Sequence, residues 1–577
     1  MASEAKRVFV NTGALAGAQL IERIANAILL FLLARTLGAD GLGVYAGAIA
    51  YYALIAVGGE LGATSYLVRE VSRQPRRASE FLVHLGIIAA VTCAVVAGVV
   101  VAIVPFVGFA PTLASGVTVT MIAVVPGALA VLQEGVFIAY QKAHIRTAVT
   151  FLGALFNVGA TLAVLAAGYG AVAALIVFAA TQYLVTTALF FAINRWLTPI
   201  RSRFRLATAR RMLRDMKAFI GSSLLAALFS RPEIIILTLV ASEAQVGYYA
   251  GALKIVDLFA FVPATFAMSL FPVLSRTFAE GRARLQEIQD KAMRFMLTFA
   301  FPVAVATFVL GPELVELAYG EGFEPAVTVL RILALGLVLY SLHDLFWRVL
   351  SARDQQGVVL RVMAITTVTR LGGGFALAIL FAAVGAAASA IGNVALHVAL
   401  LGQRVRRDGT RLNLLRLSWR PALASAVMGG VAWVALPVLG LFGAIAVAAV
   451  LYLPLAVAFG ALSTADLELI WRRPLGRGEV RALLALASAI APSERLERLN
   501  QVERLSPERV ARTLDLDDDL ARLEVVVEEG GRAAYATRLH EATAARYGAG
   551  ATRSAVDAAR AGLHARQALA TVPGRPV

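Results

Sequence analysis

The sequence predicts an all-α polytopic membrane protein with about fourteen transmembrane helices. Three observations lead to this fold class. Of the 577 residues, 59% are hydrophobic and only 16% are charged, whereas ordinary soluble domains carry about 25% charged residues. Apolar runs of about 20 residues, long enough to cross a bilayer as helices, recur along the chain. Short polar segments with the charge pattern of membrane loops separate these runs.

The predicted spans fall into two sets around a basic segment at 194–217. Six spans precede it, at about 8–37, 43–68, 80–107, 117–140, 147–167 and 170–193. Eight follow it, at about 218–241, 247–274, 292–310, 326–350, 358–381, 385–403, 420–437 and 442–462. An even number of spans puts both termini on one side of the membrane.

The basic segment at 194–217 sets the orientation. It contains eight cations and one acid, Asp215. Short loops rich in Lys and Arg stay on the cytoplasmic side, so we expect a cytoplasmic linker here. The cations are Arg195, Arg201, Arg203, Arg205, Arg210, Arg211, Arg214 and Lys217.

The remaining loops agree with this orientation. The loops assigned outside, such as 38–42, 242–246 and 311–325, contain no Lys or Arg, while those assigned inside are basic. Arg35 and Arg331, near outer span ends, are the exceptions, and we expect both to snorkel. We therefore predict that the protein lies in the cell (plasma or inner) membrane and that both of its termini are cytoplasmic. Its net charge of +16 comes from loops and tail, and we expect no nucleic-acid partner.

An internal repeat is visible at the start of two predicted spans. Residues 43–48 read GVYAGA and residues 247–252 read GYYAGA, and each copy follows a short acidic outer turn. Six spans separate the copies, so both cross the membrane in the same direction. Such a parallel repeat is a known transporter plan, in which the substrate binds between the halves.

The sequence changes character after Ser463. Residues 464–577 are polar with helix-like patterning, and Ser506-Pro507-Glu508 is a good helix start, so we expect a cytoplasmic helical tail. The single cysteine, Cys93, excludes a disulfide within the chain and a Cys-based metal site. No nucleophile motif, metal cluster or phosphate-binding glycine loop is present. We therefore expect no enzyme, metal or cofactor.

Ionisable groups far from the span ends are the candidate functional residues. A charge at the centre of a transmembrane helix costs about 2.5–3.5 kcal/mol on insertion scales, so it normally faces a wet cavity or a partner. Arg23, Arg231 and Arg370 lie near mid-depth in different spans, and a guanidinium suits a phosphate or carboxylate. Lys254 and Asn26 are assigned to the same substrate site, Asn26 because it shares a helix face with Arg23.

Acidic residues at similar depth would balance these cations or couple an ion: Glu22, Glu60, Glu233 and Asp257. A purely structural alternative remains open, because intramembrane ion pairs also hold helices together. It applies most directly to Lys254 and Asp257, three residues apart on one face. His343, Asp344 and Arg348 lie in the inner half of span 10, and Pro232 should bend span 7.

Two stretches resemble the Wzx-type oligosaccharide/polysaccharide flippases of the multidrug/oligosaccharidyl-lipid/polysaccharide (MOP) exporter superfamily. They are QLIERIANAILLFLLARTLGADGLGVYAGAIAYY at 19–52 and LFSRPEIIILTLVASEAQVGYYAGALKI at 228–255. In the second stretch Arg-Pro-Glu stands where the family often has Arg-Ile-Asp, so the arginine is kept and the acid is Glu233. The resemblance covers roughly residues 5–475.

The resemblance implies two six-helix lobes around a central cavity, two added helices and alternating access. The expected organisation is a lobe at 1–193, the linker at 194–217, a second lobe at 218–403, two added spans within 404–463 and the tail at 464–577. The implied substrate is a polyprenyl-(pyro)phosphate-linked oligosaccharide, moved from the cytoplasmic to the outer leaflet for glycan synthesis. Membrane lipids are expected partners, and glycan-synthesis proteins could bind the tail.

Several alternatives remain open. The same fold serves multidrug/cation antiporters, whose sites should be rich in acids and aromatic residues, and peptidoglycan-precursor lipid flippases. A membrane glycan polymerase or ligase is disfavoured, because the longest outer loop has about 15 residues and no Lys or Arg. A scaffold for glycosyltransferases would depend on the tail.

Overall fold

A computed structural model describes residues 2–230, 232–280, 282–408 and 413–462, and within these ranges the chain is almost entirely helical. The all-α prediction is confirmed. The first helices are α1 (Ala2–Gly59), α2 (Ala63–Arg73), α3 (Ala78–Val107), α4 (Pro111–Ala139), α5 (Ala143–Ala166), α6 (Ala171–Trp196), α7 (Leu206–Asp215) and α8 (Lys217–Ser230). They are followed by α9 (Pro232–Val240), α10 (Glu243–Glu280), α11 (Arg282–Val309), α12 (Gly311–Tyr319), α13 (Glu324–Ala352), α14 (Gln356–Arg407) and α15 (Leu414–Ala458).

Nine helices in the described ranges are long and apolar enough to cross a membrane, or ten if the bent pair α8 and α9 counts as one span. The protein is thus a multi-pass membrane protein. The nine do not map one to one onto fourteen predicted spans, chiefly because α1, α14 and α15 each contain two of them. A residue with non-helical dihedral angles interrupts each of these long helices, at Gly38, Ala382 and Gly440.

Contacts between distant residues show that α14 and α15 fold back on themselves. Thr366 Oγ1 lies 3.1 Å from His397 Nδ1 although 31 residues separate them, a distance of about 46 Å along a straight helix. In α15, Arg420 Nη1 donates to the carbonyl of Gly460, 40 residues away, over 3.0 Å. Both segments are therefore helical hairpins that turn at Ala382 and Gly440.

The three interruptions share one local sequence pattern. A residue with positive φ is followed three positions later by a glycine, as in Gly38 and Gly41, Ala382 and Gly385, or Gly440 and Gly443. A Cβ on any of the three later glycines would overlap neighbouring atoms of the turn. The chain can therefore turn tightly only because a side chain is missing there.

Span 7 bends where proline was expected to bend it. Helices α8 and α9 are inclined to each other by 51°, and α9 begins at Pro232. Proline lacks the backbone N–H of a continuous helix and fits the first position of a new one. The bend brings the first turn of α9, including Glu233, towards the interior.

The packing differs between the two ends of the molecule. We call α1–α6 the first helix group and α8–α14 the second helix group. At the end of the helix bundle that carries the turns 38–42 and 242–246, one hydrophobic cluster contains residues of both groups, including Leu42, Val246 and Tyr249. At the opposite end, the described residues form two separate clusters. One lies around Leu67 in the first group, with Phe219 and Ile220 of α8 packed against it, and the other lies around Phe346 in the second group.

The repeated hexapeptides meet at the shared end. A Cβ at Gly43 would overlap the carbonyl oxygen of Glu243 and lie 3.1 Å from the amide nitrogen of Gly247. A Cβ at Gly247 would in turn overlap the carbonyl oxygen of Ala39. Each repeat glycine thus admits the backbone of the other copy, and we call this crossing the α1–α10 junction.

The basic segment between α6 and α8 is attached to the first helix group. Ser79 Oγ accepts hydrogen bonds from the amides of Arg201 (3.0 Å) and Ser202 (3.1 Å), and His84 Nε2 accepts one from Arg205 N (3.0 Å). Helix α7 buries Met212. The segment therefore has a defined position on α3, while its cytoplasmic location stays a prediction. The predicted helical tail at 464–577 lies outside the described residues.

Candidate functional site

An ion pair between Arg370 and Glu233 lies at the centre of the second helix group. Arg370 belongs to the first arm of α14, and Glu233 is the second residue of α9. The guanidinium binds the carboxylate through two donors, Nε to Oε1 and Nη2 to Oε2, the latter over 2.8 Å. Both residues are buried, with exposed fractions of 8% and 2%. Two parallel hydrogen bonds pair the two charges in this buried position.

Glu233 also lies in the first turn of α9. A carboxylate in the first turn of a helix lies near free backbone amides and the positive end of the helix dipole. The Pro232 bend creates this helix start inside the bundle. The sequence had assigned Arg370 to substrate binding and Glu233 to charge balance, and the fold brings the two side chains together.

A cavity of about 240 Å³ lies beside this pair. Its wall comes from α9, α10, α13 and α14, all of the second helix group. Acidic and aromatic side chains dominate its polar surface, together with two histidines. Besides Arg370 and Glu233, the polar lining residues are Tyr249, Asp257, Tyr340, Ser341, His343, Asp344 and His397.

The two histidines of the cavity form a pair. Their ring centroids are 4.6 Å apart in an edge-to-face arrangement. His397 Nδ1 lies 3.1 Å from the hydroxyl of Thr366, and His343 Nδ1 lies 3.3 Å from Asp344 Oδ1.

A second set of predicted residues lies where α1 crosses α10 below the α1–α10 junction. The guanidinium carbon of Arg23 is 5.1 Å from the ring centroid of Phe261, a cation–π contact. Asn26 shares the helix face of Arg23, while Lys254 and Asp257 share the face of Phe261 at intervals of three and four residues. The fold therefore places these predicted residues on adjoining helices of the two groups. We call this set the α1–α10 face.

The remaining predicted residues are elsewhere. Glu60 lies at the break between α1 and α2, where its Oε2 accepts a hydrogen bond of 2.5 Å from Thr64, and it does not line the cavity. Glu22 is part of α1, and Arg231 lies outside the described residues. In the described part of the chain, no group of three or more His, Cys, Asp and Glu residues could hold a metal ion.

Four polar residues of the cavity were not found from the sequence: Tyr249, Tyr340, Ser341 and His397. His397 is an ionisable residue inside span 12 and would have been found by the criterion that selected Arg370, whereas Tyr249, Tyr340 and Ser341 look like ordinary packing residues. Arg35, near an outer span end, was expected to snorkel. Its side chain donates to the carbonyls of Leu317 (2.5 Å) and Ala318 (3.3 Å) in the last turn of α12, and thereby links the two helix groups.

Comparison with solved structures identifies the fold. A lipid II flippase MurJ in an inward closed conformation is similar with a TM-score of 0.64 and 14% identity, over 77% of this chain and 97% of that chain. An inward-facing MATE-family multidrug resistance transporter of the MOP superfamily gives a TM-score of 0.55 at 13% identity, over 69% of this chain and all of that chain. The fold is therefore that of MOP-superfamily transporters.

The family follows from the sequence comparison. The model described as "Polysaccharide biosynthesis protein" matches residues 32–328, more than half of the chain. The protein belongs to this family. A probable low-salt glycan biosynthesis flippase, Agl15 of Haloferax volcanii, is 25% identical over 228 residues, 39% of this chain. The match spans 48% of that relative, about half its length.

Proposed function

We propose that the protein is a flippase that moves a polyprenyl-(pyro)phosphate-linked oligosaccharide from the cytoplasmic to the outer leaflet. The observation that carries this proposal is the α1–α10 face, where cations of both helix groups lie on adjoining helices. Arg23 and Lys254, with Arg231, would bind the anionic phosphates, and Asn26 would donate hydrogen bonds. The family supports a glycan substrate, as does the 25% identical relative.

The proposed transport step is alternating access between two six-helix lobes, 1–193 and 218–403, with two added helices and fourteen crossings in all. The hairpins in α14 and α15 support this count, since each accounts for two spans. The packing asymmetry supports a state that is closed at the α1–α10 junction, while at the opposite end the two groups, apart from α8, pack in separate clusters. By the predicted orientation, that opposite end faces the cytoplasm, where the substrate would enter.

The buried Arg370–Glu233 pair has a different proposed role. Arg370 already uses two donors on Glu233, so it contributes positive potential to the site without direct phosphate binding. Asp257 borders both the α1–α10 face and the cavity, which suits it to couple an ion to substrate binding. Glu22 and Glu60 would balance charge along the pathway.

A second candidate function is exchange of a lipophilic cation. The cavity of the second helix group favours it, because Asp257, Asp344, Tyr249 and Tyr340 provide the acidic and aromatic surface that such a substrate needs. The likeness to a lipid II flippase is at the level of the fold and does not favour a peptidoglycan precursor.

Binding to the purified full-length protein in lipid nanodiscs tests the two candidates. The ligands are a short-chain polyprenyl-pyrophosphate oligosaccharide and tetraphenylphosphonium. We expect tight glycolipid binding, weakened about 10-fold or more by Arg23→Gln or Lys254→Gln, because each removes a charge-assisted contact. Arg361→Gln is the matched control, since this exposed arginine bonds only its own helix at Gly357 O among the described hydrogen bonds. Preferential binding of tetraphenylphosphonium, unaffected by both variants, would favour the exchanger.

A further inference from the structure

A groove of about 420 Å³ lies on the surface of the bundle between α11 and the first arm of α15, with α12 and α13 at one end. Its walls are apolar except at that end. The lining residues of α11 are Val305, Phe308 and Val309, and those of α15 are Ala426, Gly429, Gly430, Trp433 and Leu436. Because α11 and α15 are membrane-spanning, hydrocarbon rather than water surrounds such a groove.

Two adjacent glycines give the groove its shape. A Cβ at Gly429 would come within 2.5 Å of Val305 Cγ1, so the two helices pack closely there. A Cβ at Gly430 would meet nothing within 4 Å, so this residue leaves space beside the close contact. Trp433, one turn later, is 68% exposed and lines the groove. The space therefore has the elongated apolar form that a lipid chain fills.

The polar end of the groove carries two opposite charges. Arg331 donates from Nε to the carbonyl of Phe308 (3.2 Å) and lies over the Phe308 ring, which fixes the guanidinium at the groove. Glu313, in the first turn of α12, has a buried Oε2 with no hydrogen-bond partner among the described residues. No ion pair within 4.0 Å joins Arg331 and Glu313 in the described part of the chain. A buried carboxylate oxygen without a partner is costly, so a hydrogen-bond donor bound at this end of the groove would stabilise Glu313.

We propose that this groove binds a zwitterionic aminophospholipid, with its phosphate on Arg331, its ammonium on Glu313 and an acyl chain along α11 and α15. The two charges at one end select this class, since a phosphate alone would satisfy Arg331 and leave Glu313 unpaired. A primary ammonium donates hydrogen bonds to a carboxylate, whereas the quaternary ammonium of a choline head group has no N–H to donate. By the predicted orientation the lipid belongs to the outer leaflet.

Native mass spectrometry of the full-length protein tests the proposal. Protein in detergent is exchanged with phosphatidylethanolamine, phosphatidylcholine or phosphatidylglycerol of identical chains, and retained lipid is counted. We expect phosphatidylethanolamine to be retained at least about 10-fold better than the other two, as expected for charge-assisted hydrogen bonds. Glu313→Gln should abolish this preference, and Arg331→Gln should lower retention of all three lipids.

A groove-filling variant separates this site from lipid bound elsewhere. Gly430→Leu should displace the retained phosphatidylethanolamine, while Gly98→Leu, a substitution at another helical glycine with nothing near its Cβ, should not. Thermal unfolding in detergent confirms that each variant is folded. Equal retention of the three lipids, or retention unaffected by Gly430→Leu, would overturn the proposal. So would displacement of phosphatidylethanolamine from the unmodified protein by a polyprenyl phosphate at equal concentration.

Discussion

Gly43 of α1 and Gly247 of α10 lie against each other where the two copies of the repeat cross. The Cβ position of Gly43 is 3.1 Å from the amide nitrogen of Gly247, and each glycine admits a carbonyl from the other copy's turn. This contact closes one end of the molecule without any side chain at its centre. Any residue larger than glycine must separate the backbones, because a backbone cannot move aside as a side-chain end can.

Gly43→Ala should therefore open the α1–α10 junction. Thr238 lies beneath it, 7% exposed, with its methyl group 2.9 Å from the Cβ position of Gly47. A thiol introduced by Thr238→Cys, in a Cys93→Ala background, should react several-fold faster with a membrane-impermeant maleimide when Gly43→Ala is added.

Gly159→Ala is the matched control for this experiment, since nothing lies within 4 Å of its Cβ position. The reaction rate should stay unchanged in that variant. Equal rates with and without Gly43→Ala would mean that the junction tolerates the methyl group and is not closely packed.

Replacing one residue of the Arg370–Glu233 pair should destabilise the protein more than replacing both. Glu233→Leu or Arg370→Met alone leaves an unpaired buried charge, and we expect each to lower the free energy of unfolding by about 3–5 kcal/mol. The double variant replaces both charges with apolar groups and should lose much less. Thermal unfolding in detergent measures these losses of stability. If the double variant loses as much stability as the two single variants together, the two charges are not tightly coupled.

The turn of the α14 hairpin contains a strained residue. Ala382 has φ 47° and ψ −127°, whereas glycine occupies the equivalent positions 38 and 440. A non-glycine residue in such a region costs about 1–3 kcal/mol. Ala382→Gly should therefore raise the free energy of unfolding by about 1 kcal/mol, measured by thermal unfolding.

The neighbouring residue provides the control for this substitution. Ala383 lies after the turn and is 1% exposed, and Ala383→Gly should destabilise the protein by about 1 kcal/mol as helix propensity dictates. If both substitutions destabilise the protein equally, Ala382 is not strained.

The bonds between α3 and the basic segment 194–217 predict its resistance to protease. Ser79→Ala combined with His84→Ala removes the acceptors for the amides of Arg201, Ser202 and Arg205. Limited trypsin digestion should then cleave after Arg201, Arg203 or Arg205 several-fold faster. Thr92→Ala, which removes only a bond within α3, should leave the cleavage rate unchanged.

The sequence was sufficient to predict features that depend on local chemistry. Helical character follows from the length and composition of the apolar runs, and the bend of span 7 follows from Pro232. The hairpin turns could also have been read from the sequence, because Gly38 and Gly440 each stand three residues before another glycine. Ala382 weakens that signal, since alanine does not by itself suggest positive φ.

The partners of charged side chains could not be predicted in the same way. Arg370 and Glu233 are 137 residues apart, and only the packing of α14 against α9 determines that they meet. Arg35 likewise binds carbonyls of α12, 282 and 283 residues away, whereas its place near an outer span end predicted only that it snorkels. The depth of a charged side chain in the membrane follows from the sequence of its own helix. The partner of that side chain depends on how several helices pack.

The hairpin turns also bear on how this protein is inserted into the membrane. In the predicted topology the turns at Gly38, Ala382 and Gly440 all face the outside, so each must cross the apolar layer during synthesis. Helical structure continues almost up to the single residue that reverses the chain. Very few unbonded backbone groups would then enter the hydrocarbon, where each costs several kcal/mol. Each helical pair can accordingly enter the bilayer as one unit, without prior translocation of a separate loop.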